Sequence, residues 1–558
     1  MENKNVNEVI NILREKESSG NYIYEFVINY CLSRKLKTDS FSQILDKIED
    51  ENIKYNLKAV KAVYEEENNY IEQFNNLKDF SLDEIIEIIG GLSEYAGRRG
   101  GGENTTVKSI IDLSLELLTL EKEDILLDVG SGIGTTLLEA SKISSISGIE
   151  INPENYILSC LLLDLFNLPV EKIMHKDVFT YDLNKFNANK VFMNMPMGLK
   201  MSGKKLEDVL KLKFDKSVYK NHIKSIDSSW VFALDIIENT EYEKFVMLMN
   251  GNPLYSDNHQ DVRKILIDKG KVEAVIALPS NLLAYTAIPI YLVIFSHNNE
   301  SIKFVDATKL YSDIKYRHVL EKEHIKKIVK ALDKESSISK IVDSKKLIEE
   351  DFTLDPLRYT VEEFPFEESI ILKDVVKSVN RGHTISKKDL EEMTSVQPTD
   401  YQYLMLQNFQ DGILDGNLPY LKNLNESYER YFLKDNSVII SRLAPFKIGS
   451  VDKLKTNVLA NGNLFFLEID ENKINKDFLT AYLQSRIGLR EIEKYVKGST
   501  MKTISIRDLE RIKIPKISME KQIEIGNQFV LLNSEFKAIK KRTDEIIEER
   551  LNMFEGGI

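Results

Sequence analysis

Short apolar runs alternating with helix-patterned stretches over about 90–310 predict an α/β fold built on a Rossmann-like sheet. Two other textures frame it: a charged, helix-patterned N-terminal segment, and a C-terminal α+β segment ending in a long helix. At 558 residues the chain exceeds what one core ordinarily holds, so several domains are expected. The expected divisions are 1–85 helical, 86–310 the sheet domain, 311–366 a helical linker, 367–516 the α+β domain and 517–558 the terminal helix.

The N-terminal segment is free of glycine between Gly20 and Asp83, and its apolar residues recur every three or four positions. Ile23, Phe26, Val27 and Tyr30, then Leu57, Val60, Val63 and Tyr64, predict amphipathic helices in a structural or docking domain. In the sheet domain Ile125–Asp128, Ser147–Glu150 and Lys190–Met193 read as successive strands. Lys244–Leu248, Val272–Ala277 and Tyr291–Phe295 continue the series. Strands that are apolar almost throughout are covered on both faces, which predicts a mostly parallel sheet between helices. His318–Ile348 reads as helical again. Beyond Glu367, β-like pieces such as Val438–Ser441 and Leu464–Ile469 alternate with Asn, Asp and Gly. Ile525, Phe529, Leu532, Phe536, Ile539, Thr543 and Ile546 then form a heptad seam on the terminal helix, a packing stripe for a helix of the same chain or of a partner.

Composition narrows the function. A net charge of -13 argues against indiscriminate nucleic-acid binding but leaves room for a local basic face, since phosphates respond to nearby charge. Lys200–Lys220 and Lys373–Lys388, the latter including Arg381, are the candidate faces. Two cysteines, Cys31 and Cys160, supply neither a metal cluster nor a disulfide framework and suit a reducing cytoplasm. The polar start and the lack of a long apolar stretch predict neither a signal peptide nor a membrane span.

Chemistry concentrates at the strand ends. Asp128-Val129-Gly130-Ser131-Gly132-Ile133-Gly134 is a strand running into a glycine turn that opens a helix. Glycines are needed where backbone turns sharply and approaches a ligand. Glu150, ending the next strand, is suited to gripping ribose hydroxyls. Asp177, after a third strand end, is suited to an adenine exocyclic amine, with Val178 or Phe179 on the ring face. This ordered set fits S-adenosyl-L-methionine better than a dinucleotide, which would want G-x-G-x-x-G. After the fourth run comes Asn194-Met195-Pro196-Met197.

With these residues in this order, 90–310 resembles the modification subunit of type I restriction-modification systems, an adenine-N6 DNA methyltransferase family. Asn194–Met197 matches that family's Asn/Asp-Pro-Pro-aromatic tetrapeptide at Asn194 and Pro196, with Met at the other two positions. Gly102–Val107 matches its Gly-Glu-aromatic-aromatic-Thr-Pro motif at Gly102, Glu103 and Thr106. Asn104 and Thr105 replace the aromatics and Val107 replaces the proline. Trp230–Leu234, Asp261–Leu266, Ala274–Leu283, Thr286–Pro289 and Lys303–Ala307 extend the likeness.

Residues 367–558 resemble one half of the specificity subunit of the same systems, a target-recognition domain followed by a helical spacer. Tyr431–Arg442, Asp477–Ser485, Gly498-Ser499-Thr500, Ile504–Pro515 and Glu520–Ile523 carry that likeness. It implies binding to double-stranded DNA at a specific site. A single half implies a homodimer, or a partner specificity or restriction subunit.

The resemblance implies a base flipped out of the duplex. Asn194 and a backbone carbonyl of the tetrapeptide would accept hydrogen bonds from the adenine amino group, whose lone pair the ring otherwise withdraws. An aromatic at the fourth position would stack on the base, a contact worth about 1–3 kcal/mol. Met197 offers a polarizable surface without a ring, and Met195 gives up the proline's fixed φ. The expected site is therefore Asn194, Met195, Pro196 and Met197 for chemistry, with Thr106, Asp128, Gly130, Gly132, Gly134, Glu150 and Asp177 around the cofactor. The competing reading is a catalytically weak or silent DNA-binding subunit that keeps the fold. Methyl transfer to DNA separates the two.

Overall fold

The computed structural model describes residues 4–15, 21–36, 73–96, 105–195, 226–283, 288–314, 317–361, 364–410, 418–498 and 501–554, with a few isolated positions between them. The chain forms two compact units, 1–360 and 361–558.

The first unit is organised by a nine-stranded sheet. In chain order its strands are β1 (Ile125–Val129), β2 (Ser145–Glu150), β3 (Ile173–His175), β4 (Lys190–Met193), β5 (Lys244–Asn250), β6 (Val272–Ala277), β7 (Ile290–Phe295), β8 (Ser301–Asp306) and β9 (Ser339–Asp343). Across the sheet they run β9-β8-β6-β7-β5-β4-β1-β2-β3. The ladder from β3 to β5 is parallel, β7 lies antiparallel between β5 and β6, and β9 is antiparallel to β8. The expected α/β sheet is present, with two reversed strands.

Period-two alternation feeds two cores. Leu126 and Phe192 point into one hydrophobic cluster, while Leu127, Val129, Val191 and Met193 point into the other. Helices α4 (Lys108–Leu118), α5 (Thr135–Ala140) and α6 (Pro153–Leu165) cover the first face. α7 (Ser228–Asn239) and α8 (Gln260–Asp268) cover the second.

The N-terminal helices α1 (Lys4–Glu15), α2 (Tyr22–Leu36) and α3 (Leu82–Ala96) join the first cluster rather than forming a core of their own. The boundary expected at 85/86 falls inside α3, whose Ile85, Ile86, Ile88, Ile89 and Leu92 are all buried in that shared core. One-sided helices bury their stripe on whatever apolar face is nearest, here the outer surface of the sheet helices. Leu57, Val60, Val63 and Tyr64 lie outside the described residues.

The stretch expected as a helical linker, 311–366, also differs. It supplies β9 to the sheet edge, and α9 (Lys322–Ala331) buries Ile325, Ile328 and Ala331 in the first cluster. β9 is five residues long with Ser339 and Val342 inward. Such a short edge strand leaves too little periodicity to read.

The second unit holds two four-stranded sheets. Its strands are β10 (Val376–Arg381), β11 (Thr394–Ser395), β12 (Tyr401–Leu404), β13 (Tyr420–Leu421), β14 (Ser437–Ser441), β15 (Ile448–Ser450), β16 (Asn457–Ala460) and β17 (Leu464–Ile469). The sheets run β10-β17-β14-β15 and β11-β13-β12-β16. α10 (Lys476–Gln484) packs under the first sheet, with Phe478, Leu479 and Leu483 in its core.

The terminal helix α11 (Met519–Leu551) begins at Ser518, whose side chain caps the Lys521 N–H. Its first turns are anchored: Gln522 is buried and accepts from Asn475 N at 2.9 Å, and Gly526 packs against Asn475 and Asp477. Along the rest of the seam Leu532, Phe536, Ile539 and Ile546 are 43–65% exposed. Among the described residues no helix is long and apolar enough to cross a membrane, and no His/Cys/Asp/Glu group has metal-binding geometry.

Candidate active site

The chain leaves β1 toward β2 and β3 on one side, then returns to β4 and β5 on the other. A crevice therefore opens where the carboxyl ends of β1 and β4 diverge, the switch point at which open α/β sheets bind ligands. Asp128 and the glycine turn end β1, Glu150 ends β2, and Asn194 and Met195 follow β4 directly. Pairing of Asp128 with both Gly148 and Phe192 sets these strand ends side by side.

The glycine turn is held from below and from the side. Gly130 N and Ser131 N both donate to Ile149 O, at 2.9 and 3.1 Å. Glu150 is buried and accepts from Gly132 N at 2.8 Å with one oxygen and from Asn152 N at 2.7 Å with the other. Each carboxylate oxygen keeps a second lone-pair site. Gly130, Gly132 and Gly134 have φ of 74°, 56° and 87°, left-handed values at alternate positions that side-chain-bearing residues resist. At Gly130 the need is also spatial, because a Cβ there would lie 2.5 Å from the Met195 sulfur.

Asp128 is fully enclosed behind the turn. Burial, then the charge of Glu150, push its carboxyl up to about 8, against a hydrogen bond with Thr136 that favours ionisation. Ser131 Oγ and Ser159 Oγ, on and beneath the turn, are buried without hydrogen-bond partners among the described residues. Asp177 follows β3 and turns its carboxylate onto Phe179 N at 3.0 Å. Phe179 stacks on Phe232 at 4.7 Å and sits in the second cluster, and Val178 is likewise buried there.

One contact joins motifs 88 residues apart: Asn194 Nδ2 donates to Thr106 Oγ1 at 2.9 Å. That bond ties the Asn194 carboxamide to Thr106, and in this arrangement Oδ1 stays available as an acceptor. Nothing local in the sequence announces it, because the two motifs meet only when α4 docks on the sheet. The side chain of Met195 packs against the second cluster and over Gly130, which motif reading also missed. Pro196 and Met197, with Asn104, lie outside the described residues, as do Ser499, Thr500 and most of 200–220.

The residues fit a nucleoside-sulfonium cofactor. Glu150 offers free lone pairs at the second strand end, the turn presents backbone where a Cβ would intrude, and Ser131 has unmet hydrogen-bonding capacity. The N-6 DNA Methylase family model matches residues 81–368, more than half of the chain. The chain belongs to the N-6 DNA methylase family. A second model, the type I restriction modification DNA specificity domain, matches residues 367–548 of this N-6 DNA methylase.

Curated relatives include the type I restriction enzyme MpnII methylase subunit of Mycoplasma pneumoniae, 25% identical over 54% of this chain and 59% of that protein. The MjaVII methylase subunit of Methanocaldococcus jannaschii is 24% identical over 53% of this chain and 55% of its own length. The chain thus spans less than two thirds of these relatives. Among solved structures, the type I methyltransferase subunit of Streptococcus thermophilus aligns with 64% of this chain and 98% of its own, at 18% identity and a TM-score of 0.46.

Proposed function

We propose that the chain is a sequence-specific DNA adenine-N6 methyltransferase of a type I-like restriction-modification system, with methylation and DNA recognition in one polypeptide. The observation that carries this reading is the Thr106–Asn194 hydrogen bond at the switch point, beside the glycine turn and Glu150. With Nδ2 engaged, the amide oxygen remains to accept a hydrogen bond from the base amino group, the role that position has in methyltransferases of this family. The specificity-domain match over 367–548 supports DNA as the substrate.

S-adenosyl-L-methionine bound at this site supplies an electrophilic methyl group. Glu150 would hold its ribose, the turn from Gly130 to Gly134 would lie along its amino-acid end, and Asp177 would take the adenine amine. Asn194 Oδ1 and the Met195 backbone carbonyl accept from the flipped adenine's amino group, keeping its lone pair on nitrogen. Thr106 anchors the Asn194 carboxamide through its Nδ2, with Oδ1 left for the base. Both bonds strengthen as the amino group gains positive charge, so they favour the transition state over the ground state. By the family resemblance, Pro196 and Met197 would share in holding the base. The exposed apolar seam of α11 supports assembly with a helix of a second copy or of a partner subunit.

The test is methyl transfer. Purified chain, labelled S-adenosylmethionine and genomic DNA lacking adenine methylation are incubated beside an Asn194→Ala control. Label in N6-methyladenine that vanishes in the control is expected. No label with cofactor binding intact, and none on adding candidate partner subunits, would leave a silent DNA-binding subunit instead.

A further inference from the structure

The first sheet of the second unit carries two arginines at one end of its strands. Val379 and Ile440 pack toward the α10 core; two residues on stand Arg381, the last residue of β10 on the face of Val379, and Arg442, directly after β14. β10 and β14 both pair with β17: Arg381 is opposite Phe465, and Arg442 N donates to Asn463 O at 2.8 Å. The two side chains therefore leave the same end of one sheet from strands flanking a third, about 10 Å apart across the sheet.

Their partners are informative. Arg381 Nε donates to Gly462 O at 2.8 Å, leaning toward Arg442. Arg442 Nε is buried without a hydrogen-bond partner, and neither guanidinium pairs with a carboxylate among the described residues. Burial, then the neighbouring positive charge of Arg381, lowers the pKa of Arg442. Two like charges converging, one with an unmet donor, are unfavourable in the free protein. An anion relieves both costs at once.

The seat is rigid. A Cβ on Gly382 would meet Asn461 O at 2.2 Å, so the backbone after Arg381 presses directly on the 461–463 turn. Exposed Lys502 lies beside the pair, its carbonyl accepting from Ala444 N at 3.0 Å. The arginine fork matches phosphate oxygens bidentately, and most protein–DNA hydrogen bonds go to the phosphate backbone and sugar.

We infer that Arg381 and Arg442 form a phosphate seat that grips one backbone phosphate of double-stranded DNA at the end of this sheet. The seat sets the register of the recognition unit on the duplex and carries no sequence information of its own. This inference rests on the reading of the chain as a DNA methyltransferase.

The test measures binding of the full chain to two short duplexes of unrelated sequence by fluorescence anisotropy across a salt series. For Arg381→Gln/Arg442→Gln the slope of log K against log salt should fall by about 0.9, the loss of one phosphate contact. Affinity at low salt should drop to a similar degree on both duplexes. Arg442→Lys, which keeps the charge, should keep the wild-type slope, and thermal melting confirms that each variant is folded. Wild-type binding with an unchanged slope in the folded double variant overturns the seat alone. A loss confined to one duplex overturns it in favour of base reading. Failure of the wild type to bind any DNA would bring down the functional reading as well.

Discussion

Thr106→Val removes one oxygen and nearly nothing else, so it isolates the bond that orients Asn194. In the wild type the hydroxyl accepts from Asn194 Nδ2 at 2.9 Å, in a partly buried setting. Valine fills the same volume but leaves that donor unmet, at a cost of about 1–3 kcal/mol. The carboxamide can then turn over and present its NH2 to the base, where it repels the amino group. If the whole cost falls on the transition state, the rate falls about fivefold to a hundredfold. Thr106→Ser keeps the acceptor and should recover most of that loss.

The assay is single-turnover methyl transfer with saturating DNA, beside calorimetric titration with S-adenosylmethionine. A positioning role predicts a lower chemical rate with cofactor affinity nearly unchanged, and rescue by serine. A loss of cofactor affinity with an unchanged rate would refute it and make Thr106 a direct cofactor contact. An unchanged rate and affinity would refute both roles.

Gly130→Ala should destabilise the first unit by about 1–2 kcal/mol through its φ of 74° alone, and further through the contact with the Met195 sulfur. Combining it with Met195→Ala should return only the steric part, as read by thermal melting. Glu150→Gln keeps an acceptor for one of Gly132 N and Asn152 N and puts an NH2 against the other, so cofactor affinity measured by calorimetry should fall at least tenfold. Asp128 has a folded-state pKa of about 8, well above its unfolded value. The folded state therefore binds the extra proton, and stability should fall as pH rises from about 4 to about 8. Asp128→Asn removes that dependence, so denaturation curves of variant and wild type should diverge with rising pH; parallel curves would show that Asp128 is ionised in the fold.

What could be read from the chain was whatever repeats locally. Strands β1, β4, β5, β6 and β7 announce themselves because each is a largely apolar, buried run, β2 by its place between the glycine turn and Glu150, and the turn because left-handed residues at three alternate positions leave few alternatives to glycine. β9 and the sharing of one core by α3 and the sheet helices were not legible, since both depend on which surface an element meets after docking. The same holds within the site. Asp128, Glu150 and Asn194 are strand ends and follow from the strands, whereas Thr106 reaches Asn194 across 88 residues. Arg381 and Arg442 are visible as a pair only once β17 brings β10 and β14 to either side of it.

The departure at Met195 bears on whether such a site can turn over. Proline at that position would stiffen the loop through its fixed φ, worth about 0.4–1 kcal/mol of backbone entropy. Met195 stiffens it by other means, packing its side chain against the second cluster and over Gly130. Full burial of a methionine is worth about 1.5–3 kcal/mol, so even partial burial matches what the ring would supply. Its backbone carbonyl, the group the chemistry needs, is the same in either residue. Met195→Ala strips the packing without restoring the ring and should slow methyl transfer more than Met195→Pro, which trades one constraint for the other. If alanine and wild type transfer methyl at equal rates, the packing of Met195 contributes nothing to catalysis.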